Sequence, residues 1–317
     1  MGVPSNTLQT YQSSNNAEDV SDIINNVSPF DTPFSTMAKK TTAEATYTEW
    51  LIESLEAIDT ANANIEGDDA TTDASTPPTR VGNYTQLLDK TWQISTTQQA
   101  IKKYGVSDEW SRQTVKKGKA LKSDFEAIMI GTNQARVVGA AGTAQKMRSL
   151  PAWLTTNVSR GAGGANGSST TAATDGTQRN FTETLFKTVV VACATNANEM
   201  PTVVMAGITG RANLSSQLSG NTTRFKDMMD QKLNASITVY RSDYGDLKLV
   251  PNRRMRERDM FFINPSYVAV RTLEPYQRQE LAKTGLSRRG QIWMNATLEV
   301  SNEAAHGVLA DLNTSLL

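Results

Sequence analysis

The polar and apolar positions of residues 45–55 alternate, with Tyr47 on one side of the predicted strand and Trp50 on the other. Residues 84–100 return to a pattern that is rich in β-branched and aromatic side chains. The intervening residues 59–79 are acidic, small and rich in turn formers. Two strands that flank a long polar tip predict an extended hairpin. Because an isolated hairpin is marginally stable in water, this one needs support from its neighbours.

Over residues 105–136 the pattern changes to a helical period. One mostly apolar stripe recurs there at steps of three, four or seven residues. These positions are Trp110, Thr114, Leu121, Phe125, Ile128 and Thr132. Ser107, Asp108 and Glu109 offer a capping oxygen and negative charge at the helix start. About thirty residues at 1.5 Å each predict a rod of roughly 45 Å.

The rest of the chain mixes short helices with strands, which predicts an α+β fold. The predicted helices are residues 182–196, 209–218 and 224–233. The predicted strands are residues 202–206, 237–240, 247–250, 260–263, 291–294 and 296–300. A tract of Gly, Ala, Ser and Thr at residues 159–176 predicts a flexible loop.

Near the N-terminus, Pro29 and Pro33 block helix formation and present Phe30 and Phe34. An extended arm cannot bury two aromatic rings in itself. We therefore expect both rings, and the hairpin residues Trp50 and Trp92, to be exposed in the single chain and to dock on another surface.

The formal charge sums to zero, with 32 Lys and Arg against 32 Asp and Glu, but it is unevenly distributed. Residues 1–100 hold 14 acidic and 4 basic residues, a net of −10, which leaves a net of +10 for the remainder. Segregation of this size predicts that the acidic part meets a basic surface, in its own chain or in a neighbouring one.

Candidate chemistry is sparse. The single histidine, His306, is expected in a surface turn, and the single cysteine, Cys193, is expected to be a buried inert thiol that forms no internal disulfide. The acidic tip has no calcium-loop spacing, and the glycine tract lacks the Gly-Lys-Ser/Thr ending of a phosphate loop. We expect no catalytic, cofactor or metal site. No apolar window approaches a membrane span, and no signal peptide follows Met1, so we expect a soluble chain in a reducing compartment.

Two basic clusters remain, one within residues 102–122 and one at Arg253-Arg254-Met-Arg256-Glu-Arg258. Either cluster could contact DNA phosphates. A solvated or intersubunit face is the favoured interpretation, because Glu257 and Asp259 interrupt the second run.

Seven segments follow one another along the chain in a specific order. They are Asn16-Ala-Glu-Asp-Val-Ser-Asp-Ile, Ser28-Pro-Phe-Asp-Thr-Pro-Phe, Glu49-Trp-Leu, Asn83-Tyr-Thr-Gln, Val239-Tyr-Arg-Ser-Asp-Tyr-Gly-Asp-Leu, Leu281-Ala-Lys-Thr-Gly and Thr297-Leu-Glu-Val-Ser-Asn-Glu-Ala-Ala-His-Gly. In this order they resemble the tailed-phage major head protein family typified by phage SU10, whose members adopt the HK97-like capsid fold.

The resemblance implies a division of the chain into five parts. Residues 1–40 would form an N-terminal arm and residues 41–100 an extended β-hairpin loop that lies over the adjacent subunit. Residues 101–195 would form a peripheral domain with a long spine helix. Residues 196–284 would form a mixed α/β axial domain, and residues 285–317 the closing strands of the peripheral domain.

By the same resemblance, the chain would be a major capsid protein and not an enzyme. It would assemble with itself into pentamers and hexamers of an icosahedral virion head, formed in the host cytoplasm around double-stranded DNA that it contacts non-specifically. Decoration, scaffold and portal proteins are further candidate partners, and no membrane is involved. The alternative is a DNA-binding or tail- or head-associated structural phage protein. The candidate assembly residues are Phe30, Phe34, Trp50, Glu66, Asp68, Asp69, Trp92, Lys116, Lys117, Arg253 and Arg254.

Overall fold

The structure, a computed structural model, describes residues 31–316 except residues 57, 64, 68, 70–74, 198, 222–238 and 284. The helices are α1 (Pro33–Met37), α2 (Thr96–Ala100), α3 (Glu109–Ile130), α4 (Leu150–Trp153), α5 (Glu183–Asn196) and α6 (Ile208–Asn221). The strands are β1 (Lys39–Thr42), β2 (Tyr47–Ile52), β3 (Thr79–Tyr84), β4 (Gln86–Ser95), β5 (Val158–Ser159), β6 (Val203–Ala206), β7 (Val239–Ser242), β8 (Gly245–Pro251), β9 (Met260–Ile263), β10 (Val268–Leu281), β11 (Ser287–Val300) and β12 (Gly307–Leu309). The predicted helix at residues 224–233 lies outside the described residues.

The long helix α3, hereafter the spine helix, crosses a four-stranded sheet of order β1-β10-β11-β4. Trp92 of β4 packs on Trp110 of the helix, with ring centroids 5.2 Å apart. This approach requires a glycine opposite, because a Cβ on Gly290 would lie 2.6 Å from Trp92 and 2.7 Å from Trp110. Helix and sheet are therefore joined by an aromatic pair in addition to aliphatic contacts.

The spine helix is shorter than its periodicity predicts. It begins after Asp108, whose carboxylate accepts the backbone N–H groups of Trp110 at 3.2 Å and Ser111 at 3.1 Å. It ends at Ile130, six residues before the predicted boundary, so its 22 residues span about 33 Å. A Cβ on the next residue, Gly131, would lie 2.2 Å from the carbonyl oxygen of Arg254. A close backbone crossing thus marks the end of the helix.

A second sheet of six strands has the order β5-β12-β9-β6-β8-β7. The predicted strand at residues 260–263 is found unchanged, and α5 matches its predicted range to within one residue. Helix α5 packs on β12 and joins Phe186, Val189 and Cys193 with Phe262 of β9 in a separate apolar core. This core contains no residue of the spine helix, whereas Phe261 and Ile263 of β9 share the other core with Phe125 of that helix.

The hairpin exists, but its return strand differs from the prediction. Strand β2 pairs with β3, from Tyr47 opposite Tyr84 to Ile52 opposite Thr79. The segment predicted as the return strand forms β4 and pairs antiparallel with β11. This pairing buries alternate β4 residues, including Trp92, against the spine helix. A partner about 200 residues away in sequence leaves no local signal, which explains the error.

The predicted strands at residues 291–294 and 296–300 are one continuous strand, β11, and its neighbour β10 was not predicted. Only the first three residues of β10 are buried, and most of the remainder is polar and exposed. The strand is formed by its ladder to β11, which continues through two register shifts between Thr272 and Gln277.

Candidate assembly surfaces

Three of the four aromatic residues that we expected to be exposed are buried in their own chain. Phe34 is 0% exposed, and Trp50 and Trp92 are 8% and 6% exposed. Trp50 stacks against Trp153 with centroids 5.6 Å apart. The expectation of exposure was wrong for these residues because distant segments cover them. Phe30 lies outside the described residues.

The exposed apolar residues lie farther out on the hairpin. Leu55 is 98% exposed, Ile58 92% and Ile65 78%. The acidic residues among them, all exposed, are Glu53, Glu56, Asp59, Glu66 and Asp69. We call residues 53–69 the loop surface; Asp68 falls within it but outside the described residues. An acidic segment with exposed aliphatic side chains favours a partner that offers both basic and apolar groups.

The spine helix presents such a combination. Lys116 and Lys122 are exposed, Lys117 is half-buried, and Val115 is 59% exposed. The ammonium group of Lys122 lies 5.3 Å from the ring centroid of Tyr276. We call residues 115–122 the basic helix face.

The second predicted basic cluster divides between the surface and the interior. Arg253 is exposed and Arg254 is half-buried. Arg256 and Arg258 turn inwards instead: Arg256 Nη2 lies 2.5 Å from Asp175 Oδ2, and Arg258 Nη2 lies 2.7 Å from Asp311 Oδ1. Arg253 is therefore the exposed arginine of this cluster, and Arg256 and Arg258 form ion pairs within the chain.

Asp311 holds together part of the glycine tract, which the sequence predicted to be a flexible loop. Its buried carboxylate accepts the N–H groups of Gly161 at 3.0 Å and Gly176 at 2.9 Å, in addition to Arg258. A Cβ on Gly161 would lie 2.0 Å from the carbonyl oxygen of Thr177. Nearby, burial raises the pKa of Asp259 to about 6 against the opposing effect of Arg256. The small residues of the tract thus permit close packing around buried charge.

A second buried carboxylate joins three elements. Glu126 of the spine helix is 0% exposed and accepts the N–H groups of Phe34 at 2.7 Å and Ser35 at 2.8 Å and the side-chain amide of Asn252 at 2.8 Å. Burial raises the pKa of Glu126, and the hydrogen bonds from Ser35, Phe34 and Asn252 oppose that shift. No sequence pattern had predicted a role for Glu126. The available signal was a single acid next to Phe125, on the apolar stripe.

His306 is buried, which corrects the expected surface turn. It is 0% exposed, and its Nδ1 accepts the backbone N–H of Asn264 at 3.2 Å, which places the proton of the neutral ring on Nε2. Burial lowers the pKa of His306 to about 4. Cys193 is buried as predicted, and burial raises the pKa of its thiol to about 12. Neither group is poised for catalysis near neutral pH.

A groove of about 530 Å³ lies beneath the base of the hairpin. Its lining includes Trp50, Leu51 and Glu303. The Glu303 carboxylate already accepts the N–H groups of Thr155 at 2.6 Å and Thr156 at 2.9 Å. The carboxylate therefore fixes the loop at residues 155–156 against the wall of the groove.

Among the described residues, no cluster of three or more His, Cys, Asp and Glu side chains is arranged to hold a metal ion. Within the same residues, no helix combines the length and apolarity needed to cross a bilayer.

A spine helix across a four-stranded sheet, a second six-stranded sheet and a projecting hairpin define an HK97-like capsid subunit. The structure matches the capsid asymmetric unit of cyanophage A-1(L) with a TM-score of 0.64 at 12% identity, over 97% of this chain and 99% of that one. It matches the capsid of cyanophage P-SCSP1u with a TM-score of 0.58 at 13% identity, over 99% and 98%. The capsid of Myoviridae phage XM1 matches with a TM-score of 0.57 at 13% identity, over 93% and 97%.

The sequence model of the SU10 major capsid protein family matches residues 3–313, so the chain belongs to this family. The major capsid protein of Escherichia phage Phieco32 is 36% identical over 110 residues. The matched segment spans 35% of this chain and 31% of that relative. The fold class and the family inferred from the sequence are both confirmed.

Proposed function

We propose that this chain is the shell-forming subunit of a tailed-phage head and assembles with itself into pentamers and hexamers around double-stranded DNA. The observation that carries the proposal is the loop surface. Its aliphatic residues Leu55, Ile58 and Ile65 are at least 78% exposed on one acidic loop, which is the combination expected of a segment that docks on another surface. The virion head is the expected location and the host cytoplasm the expected site of assembly.

The proposed contact places the loop surface of one subunit on the basic helix face of the next. The loop carries acids such as Glu66, and the helix carries Lys116 and Lys117 beside an exposed Val115. Arg253 and Arg254 add positive charge beyond the end of the helix. Each contact can be individually weak because a closed shell engages many simultaneously.

Within this proposal, residues 1–40 act as the arm and residues 41–100 as the extended loop. Residues 101–195 and 285–317 make up the peripheral domain, and residues 196–284 the axial domain. No catalytic role is assigned. Decoration, scaffold and portal proteins remain candidate partners. A capsid of phage G whose fold is similar, with a TM-score of 0.53, is described together with decoration proteins.

Negative-stain electron microscopy with sedimentation of the chain expressed alone tests the proposal. Closed shells, tubes or rings of five or six subunits are the expected products. A chain that stays monomeric over a wide range of concentration and salt, with and without co-expressed phage head proteins, would contradict self-assembly.

The basic helix face supports a second candidate, a DNA-binding or tail- or head-associated structural protein. Phosphate contacts by Lys116, Lys119 and Lys122 would make binding to duplex DNA steeply salt-dependent. Tight, salt-sensitive binding by a chain that forms no shells would favour this candidate over the capsid subunit.

A further inference from the structure

The first backbone N–H groups of α1 find no acceptor in the helix itself or in its N-cap residue. Its N-cap residue, Thr32, makes no side-chain capping bond, and Pro33 has no N–H to donate. The next two N–H groups, of Phe34 and Ser35, donate instead to the carboxylate of Glu126, more than 90 residues away. A five-residue helix has no independent stability in water, so its position depends on this distant acceptor.

The same carboxylate also holds the six-stranded sheet. Asn252 follows β8 and is 0% exposed, and its amide donates to Oε1, the oxygen that also accepts the N–H of Phe34. The backbone N–H of Asn252 donates to the carbonyl of Ala206 in β6 at 2.9 Å. One oxygen atom is therefore shared between the N-terminal segment and the second sheet.

Packing alone does not require an acid at this position. The neighbours Phe125 and Phe34 are buried apolar side chains, and the donors to Glu126 are neutral N–H groups. A buried carboxylate without a cationic partner is costly, and an aliphatic side chain would fill the same space. The benefit of the acid must therefore lie in the specific bonds that it accepts.

We propose that Glu126 is the positioning residue of the N-terminal arm. It fixes where the arm leaves the spine helix and, through Asn252, ties that exit to the position of the six-stranded sheet. A shift of the sheet along the spine helix would break one of the bonds to Oε1 and loosen α1. The anchoring is a property of the single subunit; its consequence for assembly rests on the proposed function.

The Glu126→Gln variant tests the anchoring, because its amide replaces one acceptor oxygen with a donor that faces other donors. Glu109→Gln is the matched control: Glu109 is also buried on the spine helix, but it bonds to Arg112 and Gln113 of its own helix. The readouts are hydrogen exchange of the Phe34 and Ser35 amides and tryptic cleavage after Lys39 and Lys40. Each variant is compared with the wild type only where the two proteins have the same helical content.

We expect exchange at these two amides to rise at least about tenfold in Glu126→Gln and to stay at the wild-type rate in Glu109→Gln. An unchanged rate in Glu126→Gln, or an equal rise in the control, would overturn the proposal. Asn252→Asp places a second carboxylate beside Glu126 without touching the arm, and we expect it to raise the same exchange rates. No rise there would remove the link to the sheet.

If both variants fail to fold, hydrogen exchange in the wild-type protein tests the anchoring instead. Exchange of Phe34 and Ser35 at the rate of an unstructured peptide would overturn the anchoring, and protection similar to that of the spine helix would support it. The proposed function is tested separately by microscopy of the same samples. Protected amides in a chain that never forms shells would count against the capsid assignment and leave the anchoring intact.

Discussion

Removing the exposed aliphatic residues of the loop surface should weaken assembly without weakening the subunit. The perturbation is the triple variant Leu55→Ser, Ile58→Ser and Ile65→Ser. These side chains are 98%, 92% and 78% exposed, so they contribute little to the stability of the single chain. Their nearly complete exposure leaves almost the whole transfer free energy available for an intersubunit contact.

The magnitude follows from burial. Full burial of an aliphatic side chain of this size stabilises by about 1.5–3 kcal/mol, so three give an upper bound of roughly 4.5–9 kcal/mol per loop. If about a third of this burial free energy is realised in the assembled shell, the variant loses on the order of 2 kcal/mol of contact energy per subunit. The critical concentration for assembly should then rise by roughly 30-fold.

Light scattering over a concentration series measures that threshold, with sedimentation to count the assembled fraction. A matched control replaces two exposed aliphatic residues away from the loop, Val191→Ser and Leu316→Ser, which are 44% and 73% exposed. The urea midpoint of the single subunit should be unchanged in both proteins. A critical concentration within twofold of wild type for the loop variant would refute the role of this surface. An equal shift in the control would show a general solubility effect.

Three other perturbations test the charges. Because the folded pKa of His306 lies near 4, below its usual value, its contribution to the free energy of unfolding is present above about pH 6.5 and is lost as pH falls towards 4. The His306→Gln variant should not show this decrease of about 3 kcal/mol in the free energy of unfolding. Parallel pH profiles of stability for the variant and the wild type would contradict the prediction. Asp311→Ala removes the acceptor for two backbone N–H groups and Arg258 and leaves an alanine at φ 61°, so we expect a loss of about 3–5 kcal/mol by urea unfolding. Asp311→Asn tolerates this φ and keeps one acceptor oxygen but turns its amide N–H2 towards the remaining donors, so we expect a smaller loss that is still measurable. Raising salt from about 0.1 M to 1 M should slow early assembly, since the screening length falls from about 10 Å to 3 Å, and salt-independent kinetics would place the charge complementarity within one subunit.

The local sequence pattern was sufficient to predict the helices and strands that short-range interactions specify. The start of the spine helix could be predicted because Asp108 and its neighbours cap the chain there, and strand β2 could be predicted because its polar and apolar residues alternate. Strand β9 and helix α5 were predicted from their apolar runs. The order of short segments along the chain was enough to indicate the family. All of these signals depend on residues close together in sequence.

Tertiary structure decided which of those elements meet and what they cover. Phe34 and Trp92 follow sequence patterns that suggest exposure, and contacts with distant segments bury them. The long range of the β4–β11 pairing and of the bonds to Glu126 left no periodic trace in the sequence. Burial of His306 depends on the strands around it and not on its turn-like neighbours. The sequence by itself determined local conformation, because propensity and capping act over a few residues, and it determined the family through the order of short segments. Burial and the pKa of a group are sums over spatial neighbours, which only the folded chain defines.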